Sequence, residues 1–113
     1  MHEMSLAESI IQIAEDTARA NGAARVSLVL LEVGRLAGVE IDALRFCFDA
    51  ASRSSLADGA RLVIEQPEGS AWCMPCGESV PLSSLADPCP KCGSHQLQVT
   101  GGTELRVREV EIH

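Results

Sequence analysis

At 113 residues, 46% hydrophobic but only 3% aromatic, the chain has room for one aliphatic-cored domain, or for a small domain plus a metal-stapled module. A formal net charge of −7 with a single lysine, Lys91, excludes nucleic acid as a partner, since phosphate recognition needs a basic footprint. No run approaches the length of a membrane helix, and the opening M-H-E-M-S-L lacks the basic and apolar regions of a signal peptide, so a cytoplasmic protein with reduced thiols is expected.

Taken in chain order, Ser5-Leu6-Ala7-Glu8 reads as a capping box opening a helix. Leu6, Ile10, Ile13, Ala14 and Thr17 fall on its apolar face, with Gln12, Glu15, Asp16 and Arg19 on the wet side, and Asn21-Gly22 ends it. Val26 to Val33 is a continuous β-rich run that predicts a buried central strand. Gly34 to Gly38 is a loop, and a second helix follows with Ile41, Leu44, Phe48 and Ala51 on one face. Cys47, between two phenylalanines, reads as a small buried hydrophobe and not a fifth ligand. Asp58-Gly59 turns the chain into a strand at Arg61 to Glu65, which Pro67 closes. Glu68 to Ser70 and Gly101-Gly102 read as hinges around a module at about residues 71–98, whose few interior apolar residues would be Trp72, Val80, Leu82 and Leu85. In the last segment, Glu104 to Ile112, Leu105 and Val107 alternate in one phase and Val110 and Ile112 in the other. That shift predicts a bulge near Arg108-Glu109. His113 is expected to fray.

Within the module, Cys73-Met-Pro-Cys76 and Cys89-Pro-Lys-Cys92 are two C-x-x-C pairs with twelve residues between them, each followed by glycine. Four soft thiolates in two close pairs match a tetrahedral structural zinc site, and the glycines allow the sharp turns that aim backbone N–H groups at sulfur. A module with so little apolar interior needs its metal to fold. Two disulfides would require an oxidising compartment, and a redox dithiol needs only one pair. The same four sulfurs would also serve iron, which visible absorbance would reveal. His95, three residues past Cys92, is either a solvent-exposed side chain or a group that tunes the sulfur site.

The amino terminus carries a second possible chemistry. The terminal amine of Met1, the imidazole of His2 and the intervening amide can chelate one metal in fused rings, and the amide of Glu3 can complete four nitrogens in a plane. Planar nitrogen donors favour Ni(II) or Cu(II) over zinc. Taken alone, a histidine at position two is more often a solvated residue.

The opening M-H-E-M-S-L together with C-x-x-C-G…C-P-x-C-G-S resembles the HypA/HybF family of hydrogenase nickel-incorporation proteins. The resemblance extends through Gly38-Val39-Glu40-Ile41-Asp42-Ala43-Leu44-Arg45-Phe46, Gly59-Ala60-Arg61-Leu62 and Gly102-Thr103-Glu104-Leu105, so it covers essentially the whole chain. It implies a nickel metallochaperone that binds Ni(II) as transient cargo through Met1, His2 and Glu3. Zn(II) would be held structurally by Cys73, Cys76, Cys89 and Cys92, with Glu40 near the nickel site. It further implies work with a HypB-type nickel GTPase and with the precursor of the [NiFe]-hydrogenase large subunit.

The expected architecture is α+β: two helices packed on a three-stranded sheet, with an inserted four-cysteine zinc-ribbon-like module. Residues 1–69 and 100–113 would form the nickel-binding domain and residues 70–99 the zinc-binding domain. With no nucleophile–base pair, phosphate loop or HExxH motif, no catalysis is expected. The competing function is a zinc-ribbon adaptor that recruits a maturation GTPase without transferring metal.

Overall fold

The computed structural model describes residues 2–113. Two helices and two three-stranded sheets divide between two compact units. One runs through Leu31 and takes in Val39–Ile64 and Arg106–His113; the other comprises Glu32–Gly38 and Glu65–Leu105. The second unit therefore draws on the loop after the first strand as well as on the cysteine segment.

In the first unit, α1 (Glu3–Ala20) buries Ala7, Ile10, Ile11, Ala14 and Ala18. Its alanine row gives α2 (Ile41–Ser52) a shallow face to pack on, and α2 answers with Leu44 and Phe48. Ile13 proves to be exposed, and Ile11, two residues earlier and across the helix from it, is buried beside Ile10 instead. The expected capping box at Ser5 is not used. Ser5 lies inside the helix, where its carbonyl accepts from Ser9 Oγ at 3.0 Å, and His2 is the N-cap with no side-chain cap bond. The helix starts earlier because Glu3 suits the positive end of the helix, and its carboxylate finds a partner on α2.

Glu15 also departs from the wet side to which its spacing assigns it. Its side chain is only 16% exposed and accepts the main-chain N–H of Leu56 at 3.1 Å. The turn after α2 leaves that donor without a ladder partner, and a carboxylate one helix away supplies it.

β1 (Val26–Val33) is the central strand of the order β2-β1-β6, between β2 (Arg61–Glu65) and β6 (Leu105–Ile112). Val26, Val29 and Leu31 are buried on it, as the apolar run predicts. Exposure along β6 changes phase across Arg108-Glu109. The backbone pairs at the two ends of β1, Arg25 with His113 and Gly34 with Glu104, carry no net residue insertion between them, so the change of phase in β6 stands without a bulge that these bonds establish. His113 does not fray: its N–H donates to the Arg25 carbonyl at 2.9 Å, and its ring Nε2 lies 2.8 Å from Ser27 Oγ.

The second unit holds the sheet β4-β3-β5, built from β3 (Ser70–Cys73), β4 (Glu78–Pro81) and β5 (Leu97–Gly101), with both pairings antiparallel. Its core is Leu36, Ala71, Cys73, Val80, Leu82 and Cys89. Trp72 and Leu85, expected inside, are 41% and 63% exposed. Period-two alternation explains the tryptophan: Ala71 and Cys73 face the core, so Trp72 between them must face out. Leu36 comes from the loop after β1 and supplies the apolar volume that these two residues do not.

The segments read as hinges are tightly packed. The Gly34 N–H donates to the Glu104 carbonyl at 2.7 Å, that of Leu36 to Gly102 at 2.7 Å, and that of Arg35 to Pro67 at 3.0 Å. A Cβ on Gly34 would lie 2.0 Å from the Gly102 carbonyl oxygen, whereas a Cβ on Gly22 would meet nothing. Gly34→Ala should accordingly destabilise the protein by about 3 kcal/mol, through main-chain displacement. Gly22→Ala should cost about 1 kcal/mol, from its left-handed backbone alone. Chemical denaturation of the two variants beside the parent checks the ranking.

Candidate metal centre

Two tight turns build the sulfur site. Cys73 ends β3, and the Gly77 N–H returns to its carbonyl at 2.8 Å; in the second turn the Gly93 N–H returns to Cys89 at 2.9 Å. Gly77 and Gly93 have φ of 64° and 76°, a region that favours glycine, which is why each C-x-x-C is followed by one. The turns bring the Sγ atoms of Cys73, Cys76, Cys89 and Cys92 within 4.8 Å of one another. Cys73 and Cys92 sulfurs are 3.6 Å apart, and those of Cys76 and Cys89 4.0 Å. Tetrahedral zinc with bonds of about 2.3 Å requires sulfurs about 3.8 Å apart, so the donor set fits that ion in both chemistry and spacing.

The electrostatics of the cluster are unequal. The N–H groups of Cys92 and then Lys91 aim at Cys89 and lower its thiol to about 7, against the opposing effect of burial. Cys76 is pushed up to about 12 by the neighbouring sulfurs, Cys92 first and Cys73 next. Cys73 receives the Cys76 N–H, which lowers it, but burial and the Cys92 and Cys89 side chains outweigh that and leave it raised. The fold thus assembles donors that resist ionising together, and a divalent cation is what reconciles them. His95 is exposed, and among the described residues the clustered donors are the four cysteines alone.

The other expected ligands lie in the first unit. Met1 falls outside the described residues. His2 is exposed and extended, and its carbonyl accepts the Leu6 N–H at 3.0 Å, which closes the first turn of α1. The Glu3 carboxylate accepts the main-chain N–H of Glu40 at 3.4 Å, and Glu40 caps α2 by accepting from the Asp42 N–H at 3.1 Å. Two helix starts are thereby joined through one carboxylate. The sequence had marked Glu3 and Glu40 separately, but nothing in their spacing of 37 residues announced the bond between them.

A sulfur site with all four positions filled by protein holds a metal for structure, which places the chain among small zinc-stapled metal-binding proteins. Residues 1–112 match the family model described as hydrogenase/urease nickel incorporation, metallochaperone, hypA, and the chain belongs to that family. It is 57% identical to the hydrogenase maturation factor HypA of Dechloromonas aromatica (strain RCB) over 99% of both chains. It is 54% identical to that of Azotobacter vinelandii, again over 99% of both. The solution structure of the Ni metallochaperone HypA from Helicobacter pylori superposes with a TM-score of 0.69 at 25% identity, covering 99% of this chain and 97% of that one.

If the sulfurs hold the second unit together through a metal, Cys73→Ala should remove zinc from the isolated protein and unfold the β4-β3-β5 sheet while sparing α1 and α2. Elemental analysis with amide hydrogen exchange checks both halves.

Proposed function

We propose that this chain is a nickel carrier for [NiFe]-hydrogenase maturation, taking up Ni(II) at its amino terminus and releasing it by ligand exchange. The observation that carries the proposal is the placement of His2 and Glu3 at the start of α1. The first amides of a helix have no acceptor in the helical ladder. The main-chain nitrogens of His2 and Glu3 are therefore available to a metal without the loss of any helical hydrogen bond. Ni(II) would be held by these two nitrogens, the Met1 amine and the His2 imidazole, a donor set matched to a planar d⁸ ion.

Glu3, Glu40 and Asp42 surround that end of the helix pair with negative charge, which draws a cation and offsets the positive ends of both helices. Glu3 would serve through its amide, because its carboxylate is committed to Glu40. A site of this kind binds at a surface, so an acceptor with stronger ligands, such as the cysteines of a hydrogenase large-subunit precursor, can take the ion directly. Cys73, Cys76, Cys89 and Cys92 would keep their zinc throughout, since thiolates suit it and no position is open. No step in this sequence makes or breaks a covalent bond of a substrate, so the role is that of a carrier and not a catalyst. A HypB-type GTPase is the proposed partner in delivery, and the cytoplasm the proposed compartment. No helix among the described residues is long and apolar enough to cross a membrane. The adaptor reading is less favoured, because the matching family is described by nickel incorporation itself.

His2→Ala, and separately a residue added before Met1, test the site. Each should weaken Ni(II) binding at least tenfold in calorimetry on untagged protein, with zinc content and helix signal unchanged. The first change removes the imidazole and the second moves the amine while keeping every side chain. Nickel binding retained in both would overturn the amino-terminal site.

A further inference from the structure

Lys91 is the one lysine of the chain and the one Lys or Arg between Ser70 and Gly101, the stretch that carries all four zinc-binding cysteines. It stands inside the second C-x-x-C, where its main-chain N–H points at Cys89 Sγ from 3.4 Å. Its ammonium crosses to the first turn and pairs with the carboxylate of Glu78, two residues past Cys76. The sulfurs of Cys76 and Cys89 lie close enough to interact electrostatically with its charge. The side chain thus spans both turns of the sulfur site, in which Cys76 is half-buried and Cys92 exposed.

Four thiolates around a zinc ion leave a net charge of −2, in a unit whose only other Lys or Arg, Arg35, is bonded to Glu68 at 3.0 Å. Excess negative charge on sulfur makes it a better target for protons and electrophiles, the two agents that strip zinc from thiolates. A nearby cation draws that charge back and lowers the nucleophilicity of the sulfur. The geometry points to Lys91, anchored by Glu78, as the positioning residue that shields the zinc thiolates and slows loss of the metal. An exposed ion pair contributes little to folding, so the effect belongs to the rate of zinc release and not to overall stability.

The inference rests on the zinc reading of the four cysteines, so metal analysis of the parent protein comes first; absence of zinc there is a failure of that reading and not of the Lys91 assignment. In zinc-loaded full-length protein, zinc release is then followed by the absorbance of a chromogenic chelator, alone and with N-ethylmaleimide. Lys91→Met should release zinc about threefold faster than the parent, at equal zinc content and equal melting temperature. Lys91→Arg should restore the parent rate, because charge and reach are kept. Glu78→Gln, which frees the ammonium to swing away, should fall between the parent and Lys91→Met. The gap between Lys91→Met and the parent should shrink in about 1 M salt, where exposed charges are screened. Equal rates for Lys91→Met and the parent, or a Lys91→Arg variant as fast as Lys91→Met, would overturn the shielding role, and Glu78→Gln at the parent rate would overturn the anchoring role.

Discussion

Four sulfurs cannot share a space less than 5 Å across as anions unless a cation stands among them, and much of the second unit follows from that constraint. The two glycine turns exist to point the cysteines inward. β3 ends at Cys73 because the strand must deliver that sulfur to the cluster, and the alternation of the strand then forces Trp72 outward. What remains for an apolar core is small: Ala71, Val80 and Leu82, supplemented by Leu36 from outside the cysteine segment. A core of that size is too thin to stabilise a domain by burial alone, so metal coordination takes the part that a larger hydrophobic interior plays elsewhere.

The nickel site proposed for the first unit would meet a different demand. A metal-binding terminus would have to be exposed to exchange its ion, yet a free chain end would cost conformational entropy each time its donors were gathered. Starting α1 at Glu3 sets the direction of the chain immediately after His2, and the Glu3 carboxylate ties that start to α2. On the proposed reading, the donors of His2 and Glu3 would then be partly organised before the ion arrives, which is the condition for reasonable affinity at a surface.

Much of this was legible in the sequence, and the exceptions share a cause. The paired C-x-x-C motifs with their glycines announced a four-thiolate site, and the limits of β1 agree with its apolar run. Local patterns mislead where a distant partner decides the outcome. Ser5-Leu6-Ala7-Glu8 is a sound capping box by itself, but Glu3 has a use on α2 and the helix extends to meet it. Glu15 reads as solvent-facing until the turn at Leu56 requires an acceptor. Trp72 and Leu85 read as core because the module has so few apolar residues, when the volume is in fact filled from residue 36. That residue did leave a trace: a leucine between Gly34 and Gly38, with no helix or strand of its own to bury it. His113 reads as a loose end because nothing at a terminus reveals that Arg25 will pair with it.

The glycines at 34, 69 and 102 carry an implication for how this chain can vary. A Cβ on Gly102 would come within 2.5 Å of the Gly69 Cα, just as one on Gly34 would strike the Gly102 carbonyl. In each case the obstacle is main chain and not a side chain that could be trimmed. Compensating substitutions, the usual route by which a packed site drifts, have nothing to act on here. The three positions should therefore behave as a single locked locus in any mutational library, silent to epistatic rescue, while the open glycines at 22, 38 and 59 accept replacement at the cost of backbone strain alone.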